Sequence, residues 1–144
     1  MIDVLQEIKE HFQDKVLTCD ERSSRRIYLD FKPEDIPSAV KVIFGELKCR
    51  FCTASGIDTP QGIEILYHFS QDASGKIISL RTLIADKKHP EIGSIASLFP
   101  AAEWIEREIW ELLGVNFKGH PNLKHLLLID EWPEGKYPLR KGSS

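Results

Sequence analysis

The sequence predicts an α+β fold: a single mixed or antiparallel sheet with helices packed on one face, followed by an extended C-terminal tail. Apolar residues recur at helical spacing in three segments, and between these segments they alternate with polar residues at the period of a strand. The 144 residues, 42% of them hydrophobic, suffice for the core of one domain. We therefore expect a single domain over residues 1–144, with an α+β core over 1–100 and a helix with a docking tail over 101–141.

Two of the three predicted helices lie in the first half of the sequence. Apolar residues at helical spacing predict a helix over residues 3–13. Alternating apolar and polar residues predict a strand over 27–31, with a hairpin partner at 16–19. Pro37 suits the first turn of a second helix, whose apolar pattern continues to Leu47.

Three more strands are predicted in the middle of the sequence. Residues 50–54, 63–69 and 77–84 are rich in strand-forming side chains. The segment 72–75 has the composition of a tight turn, so the second and third of these strands are expected to form a hairpin.

The third helix, residues 101–113, has an acidic residue on its apolar side. Pro100 is expected to begin the helix and Gly114 to end it. When residues are placed about 100° apart around the axis, one arc contains six apolar side chains, namely Ala101, Trp104, Ile105, Ile109, Leu112 and Leu113. Glu108 lies inside this arc. A buried carboxylate costs several kcal/mol unless it is paired or hydrogen-bonded, so we expect Glu108 to have a partner.

Glu108 and its neighbour Trp110 lead to two predictions about the tail. The expected partners of Glu108 are Arg140, His120 or backbone N–H groups of the tail, and Glu108→Gln is predicted to destabilise the fold more than Glu106→Gln does. Trp110 lies on the polar side of the helix, where we expect it to be covered either by the tail or a loop, or by a partner protein.

Charge and cysteine content argue against several classes of protein. The net charge of −3 gives no general attraction to nucleic acid or anionic lipid, and no apolar run approaches the ~20 residues that span a bilayer. The N-terminal residues lack the basic leader and apolar core of a secretion signal. Cys49 and Cys52 form an isolated Cys-x-x-Cys, with Cys19 the only other cysteine. Because a zinc or iron–sulfur site needs four ligands, we expect Cys49 and Cys52 to be ordinary buried thiols and no residue to bind a metal. No nucleophile with an adjacent base stands out, so we expect no catalytic residues.

The C-terminal third resembles a known family. Its pattern consists of a helix signature, a turn and a tail: Glu106, Arg107, Glu108, Glu111, Leu112, Leu113, Gly114, Phe117, Gly119, His120, Pro121, Leu123, Lys124, Leu126, Leu127, Pro138, Leu139, Arg140 and Lys141. These residues look like the signature of the C subunit of respiratory NADH:quinone oxidoreductase (complex I). Looser similarity, which includes Asp58, Tyr67 and Trp104, extends upstream to residue 49.

The resemblance implies a structural subunit of the hydrophilic arm, without catalytic residues or a cofactor of its own. Members of this family dock on the large D-type subunit, beside the B-type subunit that carries an iron–sulfur cluster, on the cytoplasmic side of the membrane. Clusters and flavin, or a NiFe centre, would then belong to partner subunits. We expect docking or tail-anchoring roles for Trp110, His120, Trp132, Arg140 and Lys141.

A second family of complexes fits the same signature. The spacing from Trp132 to Pro138 and the Glu-Leu-Leu-Gly end of the helix are also similar to subunits of membrane-bound energy-converting [NiFe]-hydrogenases and formate hydrogenlyases. The complex I pattern usually continues past Lys141 with an acidic residue, an aromatic residue and proline, whereas Gly-Ser-Ser follows here. The equivalent subunit of a hydrogenase-type complex is therefore the alternative prediction.

Overall fold

A computed structural model describes residues 4–12, 15–98, 100–121, 137 and 139–140 of the protein. In order along the sequence, the elements are α1 (Val4–Phe12), β1 (Thr18–Glu21), β2 (Arg26–Asp30), α2 (Ile36–Lys41), β3 (Arg50–Thr59), β4 (Gly62–Gln71), β5 (Lys76–Ile84), β6 (Glu91–Gly93), α3 (Pro100–Leu113) and β7 (Asn116–Lys118). The predicted site residues Trp132 and Lys141 lie outside the described residues. Within those residues, none of the helices combines the length and apolar composition needed to cross a bilayer.

The main sheet has five strands in the order β1-β2-β5-β4-β3. β1 is antiparallel to β2, as the predicted hairpin requires, whereas β2 is parallel to β5, so the sheet is mixed. The N–H groups of Ser74 and Gly75 donate to the carbonyl of Gln71 and close the predicted turn between β4 and β5. A mixed sheet with helices packed beside it confirms the predicted α+β class.

A second, two-stranded sheet was not predicted. β6 and β7 pair in parallel, with Ile92 opposite Phe117. Each strand has three residues, too few to show a period of two, and the two segments are far apart in sequence. Their pairing therefore depends on contacts that no local pattern reveals.

The second predicted helix is shorter than its apolar pattern suggests. Pro37 occupies the first turn of α2, as predicted, but the α-helical hydrogen bonding ends at Lys41. A π-helical turn, Val42–Glu46, then widens the backbone, and Lys48 has a positive φ of 57°. Such insertions leave the apolar spacing nearly unchanged, so periodicity alone does not detect them.

The described residues belong to two compact units that alternate along the sequence. The first comprises Met1–Thr53 and Leu66–Thr82, and the second comprises Ala54–Ile65 and Leu83–Ser144. In the first unit, Phe12 packs edge-on against Phe31, with 5.1 Å between ring centroids. The second unit contains α3, β6 and β7, together with those predicted site residues that the structure describes. That all 144 residues form one domain, divided at residue 100, stays a prediction.

Candidate protein-interaction site

The signature helix α3 begins and ends close to where the sequence predicts. Pro100 is its first residue. After its last residue, Gly114 adopts a left-handed conformation with φ of +79°, and its N–H donates to the carbonyl of Trp110 at 2.8 Å. Since this conformation favours glycine, Gly114 ends the helix for the predicted reason.

One side of α3 is buried even though it contains charged residues. Glu106 is only 1% exposed, and its carboxylate accepts hydrogen bonds from the Ser94 hydroxyl at 2.5 Å and the Ile95 N–H at 2.8 Å. Burial raises the pKa of the Glu106 carboxyl above its ordinary value, while these two hydrogen bonds and the charge of His120 act in the opposite direction. Glu106 thus links α3 to the loop that follows β6.

The prediction that Glu108 is buried is wrong, because Glu108 is exposed. The buried side of α3 runs through Ala102, Glu106, Ile109 and Leu113, which follow helical spacing. The helix is therefore rotated away from the orientation in which its most apolar arc would face the core. The rotation is favourable because the Ser94–Ile95 segment supplies donors that satisfy the carboxylate of Glu106.

Two further charged residues of α3 are also buried, Arg107 and Glu111. The guanidinium of Arg107 lies 5.0 Å from the ring centroid of Trp104, a cation–π distance. His120 is a hydrogen-bonding residue of the turn, since its Nε2–H donates to the carbonyl of Glu103 at 2.9 Å. The turn after β7 is thereby attached to the first half of the helix.

The opposite side of α3 is apolar and partly exposed. Trp104 is 56% exposed, Ile105 and Leu112 are half-buried, and Glu108 lies among them. A groove of about 150 Å³, the α3 groove, lies between this side of the helix, β3 and the tail. Among the described residues, its lining consists of Ala54, Ser55, Gly56, Ile105, Glu108, Ile109, Leu112, Leu113 and Leu139.

The tail contacts the C-terminal end of α3. The Leu139 N–H donates to the carbonyl of Leu112 at 3.0 Å, and Nε of Arg140 donates to the carbonyl of Leu113 at 2.6 Å. Carbonyl groups at a helix C-terminus lack partners within the helix and carry partial negative charge, so a cationic donor is well suited to them. These bonds hold Leu139, itself 54% exposed, at one wall of the α3 groove.

We predict that Gly114→Ala destabilises the protein by about 1–2 kcal/mol and loosens the tail. A Cβ at Gly114 would lie 2.6 Å from the ring of Tyr137, in addition to straining a φ of +79°. Limited trypsin digestion should therefore cleave after Arg140 faster in the variant than in the wild type at a temperature where both are folded. Equal cleavage rates would contradict the tail contact.

The other predicted site residues occupy varied positions. Trp110, expected on the polar side, is half-buried, whereas Trp104 is the more exposed tryptophan of α3. Gly119 and Pro121 are exposed in the turn that follows β7. Docking roles for Trp110, Trp132 and Lys141 stay predictions. Sequence reasoning missed Trp104 and Leu139 as exposed residues, although the apolar arc that it identified contains Trp104.

The cysteines only partly match expectation. Cys49 is buried, and burial, with smaller contributions from Glu7 and Asp72, raises the pKa of its thiol to about 11. Cys52 is exposed, so the prediction of a buried thiol is wrong for it, and Cys19 is exposed as well. β3 begins at Arg50, so it contains Cys52 but not Cys49. In the described part of the protein, no three His, Cys, Asp or Glu side chains are grouped as a metal site would require.

Comparisons with known proteins place the signature in a wider context. Residues 29–144 match the family of the respiratory-chain NADH dehydrogenase 30 kDa subunit. The C subunit of the F(420)H(2) dehydrogenase of Methanosarcina mazei is 39% identical over 94 residues, 64% of this chain and 58% of that protein. The C subunit of the NADH-quinone oxidoreductase of Ruegeria pomeroyi is 29% identical over 150 residues, 98% of this chain and 73% of that protein.

A third relative is longer. The C/D subunit of the NADH-quinone oxidoreductase of Bacteroides thetaiotaomicron is 34% identical over 87 residues, 58% of this chain and 16% of that protein. The sequence thus spans a small part of one of these relatives and just over half of another.

Two solved structures have a similar fold. One polypeptide of the membrane-bound sulfane sulfur reductase, an archaeal respiratory membrane complex, aligns with a TM-score of 0.84 and 24% identity, covering 96% of this chain and 82% of that one. A trypsin-resistant fragment of Nqo5 aligns with a TM-score of 0.70 and 18% identity, covering 83% of this chain and 98% of the fragment. Since the family match covers most of the sequence, the protein belongs to the family of the 30 kDa subunit of respiratory-chain NADH dehydrogenase.

Proposed function

We propose that the protein is a structural subunit of a complex-I-type oxidoreductase and docks on a D-type large subunit, without a redox centre or catalytic residue of its own. The observation that carries the proposal is the exposed apolar side of α3. Trp104, Ile105 and Leu112 lie on the helix that bears the family signature. Aromatic and aliphatic side chains left accessible beside a groove are typical anchors of protein interfaces.

The relative from Bacteroides thetaiotaomicron supports the choice of partner. Its name joins C and D in one polypeptide, and this protein matches a part of it. Covalent linkage gives two parts of one polypeptide a high effective concentration toward each other, so fusion of C and D is expected where the two parts bind each other. By the same family analogy, a B-type subunit with an iron–sulfur cluster would lie nearby, and this subunit would be peripheral on the cytoplasmic side of a membrane.

A related complex with another electron donor is the second candidate. The relative from Methanosarcina mazei, at 39% identity, is named as part of an F(420)H(2) dehydrogenase, and the sulfane sulfur reductase polypeptide has a similar fold. The structural role would be the same in an NADH-, F(420)H(2)- or hydrogenase-type complex. Only the partners that handle electrons would differ.

We expect affinity purification from the native membrane fraction to recover a D-type large subunit together with the tagged protein. The D-type subunit should be present in about equimolar amount, because docking within a complex fixes stoichiometry. The identities of the other subunits would distinguish a quinone-reducing complex from a hydrogenase-type one. Recovery of the tagged protein without any D-type subunit, from membranes in which that subunit is present, would refute the proposal.

A further inference from the structure

The α3 groove has a fixed wall on each side. On one side, β3 approaches α3 so closely that a Cβ at Gly56 would lie 2.6 Å from Cδ1 of Leu113. On the other side, the hydrogen bond between Leu139 and Leu112 holds Leu139 in place. The groove is therefore formed before any partner binds, and a partner would not have to order this part of the protein.

The chemistry of the groove combines apolar walls with one acid. Of the nine described residues that line it, Glu108 is the only one with an ionisable side chain. Trp104, Glu108 and Leu112 are spaced four residues apart, so they form one strip along the helix. A ligand that complements this strip needs an apolar group for the walls and a positive charge next to the carboxylate.

We infer that the α3 groove receives a segment of the D-type large subunit that inserts an apolar side chain between Leu112 and Leu139 and places a lysine or arginine against Glu108. The inference rests on the proposed function and adds to it the surface and the recognising chemistry. Glu108 is exposed beside an apolar contact. A carboxylate in that position favours partners that place a positive charge next to it and disfavours partners that do not.

A second copy of this protein fits the groove less well than the D-type subunit. In a two-fold symmetric pair the same strip would contribute to both sides of the contact. Two strips that each carry Glu108 would then approach with like charges. A homodimer is the competing possibility, and the crosslinking experiment below distinguishes it from binding of the D-type subunit.

The experiment measures binding of the protein to a D-type subunit from the same organism, both as purified proteins. Glu108→Lys is expected to weaken binding at least tenfold, whereas Glu10→Lys, the same charge change at an exposed position of α1, should change it less than twofold. Glu108→Gln should weaken binding less than Glu108→Lys and should reduce its dependence on salt. Because Glu108 is exposed, the melting temperatures of these variants should stay close to that of the wild type.

A photo-crosslinking amino acid at position 139 identifies the occupant directly. In the assembled complex, the crosslink is expected to join this position to a D-type peptide that contains a lysine or arginine near an apolar residue. A crosslink to a second copy of this protein or to a different subunit would overturn the inference, as would equal binding by Glu108→Lys and wild type. If the wild-type protein binds the D-type subunit and the variants bind it equally well, the groove assignment fails and the proposed function stands. If the wild-type protein does not bind it, the proposed function itself fails.

Discussion

Gly62→Ala is expected to destabilise the protein by about 3 kcal/mol, which lowers the melting temperature of a domain of this size by roughly 6–12 °C. A Cβ at Gly62 would lie 2.3 Å from the carbonyl oxygen of Ile84, at the end of the neighbouring strand β5. That oxygen belongs to the backbone, so it cannot move aside by a change of rotamer. The φ of +152° at Gly62 adds strain for any residue with a side chain.

A matched control for this prediction is Gly45→Ala. Gly45 is exposed within the π-helical turn, and a Cβ there would meet no atom within 4 Å. Alanine also restricts the unfolded chain more than glycine does, so this variant should be unchanged or more stable by up to about 1 kcal/mol. Thermal unfolding followed by circular dichroism would compare the two variants. Similar melting temperatures for them would contradict the close approach of β4 and β5 at Gly62.

Glu106→Ala is expected to destabilise the protein by about 2–4 kcal/mol, and Glu108→Ala by no more than about 0.5 kcal/mol. Removing the Glu106 carboxylate leaves the Ile95 N–H without its acceptor, and the Ser94 hydroxyl loses its partner as well. Glu108 is exposed on the same helix and so serves as the matched control. Urea unfolding would measure the free energy of unfolding of each variant. Equal destabilisation by the two substitutions would contradict the burial of Glu106.

The pH dependence of the free energy of unfolding tests whether the pKa of Glu106 is raised in the folded protein. Because the pKa of Glu106 is raised on folding, the folded state holds this proton more tightly than the unfolded state does. The contribution of Glu106 to stability is then fully present below the ordinary pKa of about 4.5 and falls as pH rises through the raised value. Glu106→Gln has no such proton, so the stability advantage of the wild type over this variant should shrink between pH 4 and neutrality. A widening advantage would contradict the raised pKa.

The ends of α3 were predictable because their signals are local. Proline fits the first turn of a helix and glycine fits the left-handed conformation that follows the last turn, whatever the rest of the sequence is. The same holds for the turn between β4 and β5. By contrast, the pairing of β6 with β7 and the π-helical turn after α2 depend on distant contacts or on small changes of hydrogen bonding. Neither leaves a periodic pattern.

The orientation of α3 was predicted wrongly for a different reason. Hydrophobicity alone favoured burial of the arc that contains Trp104 and Leu112. The structure instead buries Glu106, because the loop after β6 supplies two hydrogen-bond donors at the required place. This difference moves the candidate interaction site from Trp110 to the strip around Glu108.

The sequence by itself determined the α+β class, the bounds of α1, β2, β4, β5 and α3 to within about two residues, and the family, since these depend on local spacing and on a specific signature. Only the tertiary structure decided which side of α3 faces the core and where the tail is attached. A buried charge is tolerated only when distant residues complete its hydrogen bonds, and those residues come together only in the folded protein. The apolar arc predicted from the sequence therefore remains partly exposed, and it is accessible for the proposed docking.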